Sequence, residues 1–348
     1  MIYSIIVPVF NRPDEVDELL SSLTRQAYRD FEVIVVEDGS QVTCEKVCQS
    51  YNERLSLSYY SKANSGPGQS RNYGAERAKG DYLIILDSDV VLPDGYLKAV
   101  DEELTLAPCD AFGGADASHP SFTPVQKAIS YAMTSFFTTG GIRGGKKKLD
   151  RFYPRSYNMG IRSEVYHSLG GFSKMRFGED IDFSYRIVES GCTCRLFPEA
   201  WVWHKRRTDF RKFFRQVYNS GIARINLEKR HPGTLKLVHA LPAIFTAGVA
   251  ALALLFVCGL AVAGFGGNTM RPTGTCICQL ALLPLLMYSL LICISSTIQN
   301  RSLHVGLLSV PAAFTQLIGY GSGFIEAWWK RCIKKEDEFQ AFENTFYK

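Results

Sequence analysis

Asp87-Ser88-Asp89 follows the apolar run Tyr82–Leu86. Side chains two apart in an extended chain point the same way, so both carboxylates can face one divalent cation that also holds phosphate oxygens. Alone, an Asp-x-Asp reads as an acidic turn. This one has company. Asp38-Gly39-Ser40 closes an earlier apolar run, and Arg71-Asn72 precedes the acidic pair by the length of a helix and a strand. Further on, Glu179-Asp180 stands at the start of a helical segment at 181–189, where the helix dipole stabilises an anion.

The elements that must position these groups follow from patterning. Residues 2–7 are a β-branched run ended by Pro8; residues 1–10 are too short for a signal peptide and lack a basic start, so they read as a first strand. Asn11 as cap, Pro13, and acidic Asp14 and Glu15 then open a helix with Val16, Leu19, Leu20 and Leu23 at helical spacing. Strands follow at 31–36, 57–60 and 82–86, with helices at 41–52 and 69–78 between them. Strands apolar on both faces, alternating with helices, imply an α/β fold whose mostly parallel sheet is covered on both faces. Ligands in such sheets sit beyond the carboxyl ends of the strands, where Asp38 and Asp87 lie. Beyond Gly95 the pattern is less regular. Helices are expected at 97–104 and Pro124–Thr134, and a glycine-rich loop at 140–145 leads into Lys146, Lys147 and Lys148.

The chain has 348 residues and a net charge of +5. Charge is dense up to about residue 230, but residues 235–326 hold only Lys236, Arg271, Arg301 and Glu326. Residues 237–264 and 277–298 are each long enough to span a bilayer, which needs about 20 apolar residues. Residues 303–325 are a weaker third segment, interrupted by Pro311 and glycines 319, 321 and 323. Two spans with a re-entrant or interfacial third segment would keep Lys330, Arg331, Lys334 and Lys335 on the cytoplasmic side. Residues 210–225 read as an amphipathic helix, with Phe210, Phe213, Phe214, Val217 and Ile225 mainly on one side and Arg211, Lys212 and Arg215 elsewhere. That pattern suits the headgroup layer. The expected organisation is a catalytic domain at 1–208, an interfacial helix and linker at 209–234, a membrane region at 235–326 and a polar tail at 327–348. Next to so apolar a half, the basic clusters suit membrane lipids or a diphosphate, and no nucleic-acid partner is expected. The ten cysteines lack zinc-site spacing, and their pattern is that of reduced thiols in a cytosolic domain.

The ordered set of motifs resembles the family 2 glycosyltransferases, the inverting group with the GT-A fold. The resembling segments are residues 4–11 (SIIVPVFN), 35–40 (VVEDGS), 68–74 (GQSRNYG) and 86–89 (LDSD), then 158–162 (NMGIR), 170–172 (GGF) and 178–183 (GEDIDF). Together they cover about residues 3–205.

The resemblance implies roles. Pro8, Phe10 and Asn11 would line the nucleotide pocket, Asp38 would accept a hydrogen bond from the base, and Arg71 would lie close to the nucleotide. Asp87 and Asp89 would face the ribose and a Mg²⁺ or Mn²⁺ ion, with Asp89 the more direct ligand. His204 would complete the metal site or, equally, sit as an interfacial histidine. Asp180 matches the general base, and Glu179 and Phe172 fall in the acceptor region, although the apolar residues here equally suit the core. The implied reaction transfers a sugar from a nucleotide-diphosphate sugar to a hydroxyl of a lipid-linked or membrane-proximal glycan, with inversion. Loading of a polyprenyl phosphate, or an inactive nucleotide-sugar-binding scaffold, are the alternatives. The Gln-x-x-Arg-Trp motif of processive synthases is absent from the sequence, which implies one sugar per encounter. A multi-pass protein of the bacterial inner membrane, with its catalytic domain cytoplasmic, is the expected setting.

Overall fold

The computed structural model describes residues 1–117, 121–140, 152–175 and 177–339. The expected loop at 141–145 and the cluster Lys146 to Lys148 lie outside them. In chain order the elements are β1 (Tyr3–Val9), α1 (Pro13–Thr24), β2 (Phe31–Asp38), α2 (Glu45–Tyr51), β3 (Leu57–Lys62), α3 (Pro67–Ala75), β4 (Tyr82–Leu86) and β5 (Val90–Val91). Next come α4 (Tyr96–Leu106), β6 (Ala111–Ala117), α5 (Pro124–Thr134), α6 (Phe136–Thr139), β7 (Asn158–Arg162), α7 (Ser163–Ser168), α8 (Glu179–Glu189) and β8 (Cys194–His204). Then come α9 (Phe210–Arg230), α10 (Leu237–Phe265), α11 (Gly267–Asn300) and α12 (Leu303–Trp328), which passes into a π-helical turn at Trp329–Ile333.

The chain divides into two compact units, residues 1–120 with 147–205, and residues 121–146 with 206–348. The first is built on one sheet in the order β3-β2-β1-β4-β7-β6-β8-β5. Its first four strands are parallel, with Tyr3 opposite both Phe31 and Tyr82. Strand β7 runs antiparallel to β4 and β6, while β8 is parallel to β6 and antiparallel to β5. The unbroken apolar runs are explained by burial on both faces. Ile5 and Val7 pack on one side with Leu19 and Leu20 of α1 and Leu97 of α4. Ile6 and Ile85 pack on the other with Tyr166 and Phe183.

Helix α2 starts at Glu45, four residues later than the spacing suggested. Residues 40–44 have other partners: Asn11 Oδ1 accepts from the Gln41 and Val42 N–H groups, and the Glu37 carboxylate accepts from the Ser40 hydroxyl and the Cys44 N–H. Side chains here substitute for helical hydrogen bonds.

In the second unit α10, α11 and α12 are each long and apolar enough to cross a membrane. The third segment is therefore a continuous helix, not an interrupted one. Its glycines serve packing: a Cβ on Gly323 would fall 2.1 Å from Tyr218 O of α9, one on Gly319 2.6 Å from Val217 of α9, and one on Gly321 2.3 Å from Pro242 O of α10. Small residues allow such close backbone approach between apolar helices. Helix α9 runs on to Arg230, and its residues 221–227 are all buried. Phe213 and Val217 cluster with α5 and α12, and Ile222 and Ile225 with Phe324 and Ala327 of α12. Phe213, Val217 and Ile225 of the face expected to meet lipid thus pack against protein.

Candidate active site

Asp38 ends β2 with its side chain buried. Its carboxylate accepts from the Lys62 ammonium and, at 2.9 Å each, from the backbone N–H groups of Ser65 and Gly66. Asn64 Nδ2 donates to its carbonyl at 2.7 Å. Gly39 permits this closure: its φ is +74° and a Cβ there would lie 2.7 Å from Asn64 N. Asp38 thus fastens loop 62–66 to the sheet edge. Beyond β1, Asn11 (φ 53°) donates its N–H to Ser40 Oγ at 2.8 Å, with Pro8 and Phe10 half-buried before it in the chain.

Arg71, on α3, is the link between motifs far apart in sequence. It is buried, and it donates to Asp87 Oδ1 and to Glu179 Oε1, each at 2.8 Å. Its guanidinium lies 5.1 Å from the Phe172 ring centroid. The neighbouring Asn72 clamps the glycine turn before α8: Nδ2 donates to Phe172 O at 2.8 Å, while Oδ1 accepts from Phe172 N at 2.8 Å and Tyr166 Oη at 2.6 Å. Phe172 is 2% exposed and packs against Tyr166 and Phe183, a core placement that the sequence left open, and Glu179 is buried against Arg71.

Asp89 and His204 are brought together by the β5–β8 pairing, in which Val90 faces His204. His204 Nε2 lies 3.3 Å from Asp89 Oδ1. Asp87, Asp89 and His204 each offer one ligand atom, and these atoms all lie within 4.8 Å of one another. Two carboxylate oxygens and an imidazole nitrogen are a donor set that fits Mg²⁺ or, with its tolerance of nitrogen, Mn²⁺. Arg12 bonds the other oxygen of Asp89, and that carboxylate holds its guanidinium above the usual range. Asp116 Oδ2 stands 4.0 Å from His204 Nδ1, and the Tyr157 ring stacks on the imidazole at 5.1 Å. Arg12, Asp116 and Tyr157 had no spacing signal in the sequence; only the folded sheet assembles them.

Asp180, the proposed base, is 18% exposed and pairs with Arg155 at 3.1 Å. Asp182 is held by Arg186 at 3.0 Å and is buried. Burial pushes the Glu179 carboxyl from its ordinary 4.5 up to about 7, against the pull of Arg71. Between these values the folded protein keeps a proton that the unfolded chain has lost, so stability falls as pH rises through that window. Glu179→Gln is expected to flatten this part of the pH profile of thermal unfolding; an unchanged slope would contradict the raised carboxyl.

The family model for glycosyl transferase family 2 matches residues 4–170. An uncharacterized glycosyltransferase of Haemophilus influenzae is 47% identical over 195 residues, which cover 53% of this chain and 62% of that protein. The pre-mycofactocin glycosyltransferase of Mycobacterium tuberculosis is 28% identical over 239 residues, 66% of this chain and 48% of the relative. The chain thus spans less than two thirds of either relative. A solved structure, a mannosyltransferase from Pyrobaculum calidifontis in complex with GDP-Man and Mn²⁺, matches with a TM-score of 0.56 at 14% identity, covering 94% of this chain and 87% of that one. At that identity the likeness is one of fold. Over residues 4–170, just under half of the chain, the sequence matches glycosyl transferase family 2, and its sheet is of the GT-A type.

Proposed function

We propose that this protein transfers a sugar from a nucleotide-diphosphate sugar to an acceptor hydroxyl on a lipid-linked or membrane-proximal glycan, with inversion and one sugar per encounter. The observation that carries the reading is the cluster of Asp87, Asp89 and His204, whose ligand atoms lie within 4.8 Å of one another, together with the ion pairs from Asp87 through Arg71 to Glu179, the residue beside Asp180. Asp87, Asp89 and His204 would hold a Mg²⁺ or Mn²⁺ ion, which when bound supplies positive charge to a leaving diphosphate. Asp180 takes the proton from the acceptor oxygen as that oxygen bonds to the anomeric carbon. The bond from that carbon to the diphosphate oxygen breaks, and the nucleoside diphosphate leaves with the electron pair. Arg71 and Arg12 balance the carboxylates, so the site is preorganised before substrate arrives. Helices α10 to α12 are proposed to hold the domain at the cytoplasmic face of a bacterial inner membrane, where confinement raises the effective concentration of a lipid acceptor.

A single displacement has a stereochemical signature. With the donor identified, proton NMR of the first product should show the anomeric configuration opposite to the donor's. Retention would overturn the direct displacement and the role given to Asp180.

A further inference from the structure

Residues 124–140 contain one charge, Lys127, and form α5 and the short α6 ended by Gly140. They belong to the same compact unit as α9 to α12. Helix α5 descends along α12: Ala128, Ile129, Ala132 and Met133 cluster with Val305 and Ala312, and Tyr131 with Ile292, Ala313, Tyr288 and Val310. Tyr288 Oη then donates to Phe137 O at 3.1 Å.

That last bond fixes a depth. The Tyr288 ring lies 5.3 Å from Phe245 and 5.8 Å from Phe314. By the 1.5 Å rise per residue, Tyr288 and Phe245 lie about 18 and 12 Å from Asn300 and Leu237, which end α11 and begin α10. Half of a hydrocarbon core is about 15 Å. The tip of the segment therefore stands well below the headgroups if α10 to α12 span.

A break in helix at that depth is tolerated only when its backbone is satisfied within protein. Here it is. Ser135 Oγ accepts from Phe137 N, Thr139 Oγ1 donates to Ser135 O at 2.8 Å, Thr138 Oγ1 donates to Ala132 O and Thr134 Oγ1 donates to Ser130 O at 2.9 Å. Gly140 N closes on Phe136 O at 2.9 Å. Yet Phe136 is 70% and Phe137 42% exposed. Two adjacent exposed phenylalanines, beside the apolar outer surface of the three long helices, match a hydrocarbon occupant by continuity with that surface.

We propose that residues 123–140 are a re-entrant membrane segment, entering the bilayer beside α12 with Phe136 and Phe137 in contact with lipid acyl chains. The proposal rests on the membrane reading of α10 to α12 and adds a fourth lipid-contacting element to it. To test it, a benzophenone-bearing phenylalanine is placed at position 136, 257 or 106 of the full chain, irradiated in native membranes and analysed by mass spectrometry. Val257 on α10 and Leu106 on α4 are 60% and 82% exposed. The expected result is an acyl-chain adduct at 136 and 257 and none at 106. An adduct at 257 with none at 136, or with a headgroup or protein adduct there, overturns the re-entrant segment alone. Absence of lipid adduct at 257 overturns the membrane reading itself, and the segment with it.

Discussion

Asp89→Ala is expected to lower sugar transfer by at least about 10³-fold while the domain stays folded. Asp89 is the centre of the cluster, since its two oxygens meet His204 and Arg12. Losing a cation that stabilises a leaving group removes several kcal/mol of transition-state stabilisation, and each 1.36 kcal/mol is about tenfold in rate. The fold should survive because the strand pairing that carries His204 to Asp89 is made by backbone groups of Val90 and His204. Turnover, Mn²⁺ binding by calorimetry and far-UV circular dichroism would be measured together. Turnover within tenfold of the parent, or unchanged Mn²⁺ affinity, would remove Asp89 from the metal site.

Asp180→Asn is expected to keep near-normal donor affinity and to lose about 10²–10⁴ in transfer rate, the usual contribution of a general base. The amide preserves shape and leaves Arg71, which holds Glu179 and Asp87, untouched. Asp182, the other acid on this turn that the sequence offers as a base, is buried and tied to Arg186. Transfer surviving within a few-fold would therefore favour an acceptor whose nucleophile is already ionised, such as a phosphate. Donor dissociation constants and single-turnover rates separate the two effects.

The donor half was legible because its strands are short, apolar on both faces and joined by short helices, so each motif fell at a strand end. The far half was not. Residues 111–117, 158–162 and 194–204 pair across long stretches of chain, so no local period announces β6, β7 or β8. The third carboxylate, Asp116, and the stacking Tyr157 are invisible for the same reason. In the membrane half, the eleven residues of Pro124–Thr134, apolar along one face, resemble any core helix, and only packing against α12 groups them with the spans. Glycines 319, 321 and 323 looked like breaks because the helices that fill the space beside them are far away in sequence. Covering of α9 and α5 by α12 also changes the outcome of truncation. Cutting after Arg230 exposes Phe213, Val217, Ile222 and Ile225, so the shortened protein is expected to aggregate.

The central claim is that a sugar leaves a nucleoside diphosphate for an acceptor. The direct measurement is phosphorus NMR of the full-length protein with a panel of nucleotide-diphosphate sugars, Mg²⁺ or Mn²⁺, and bacterial lipid extract. The expected result is nucleoside diphosphate from one donor, in step with a glycosylated lipid or glycan and dependent on Asp89. Nucleoside monophosphate with sugar phosphate would mean that a phosphorus–oxygen bond is cut instead, and that outcome, or no donor consumed at all, would contradict the account.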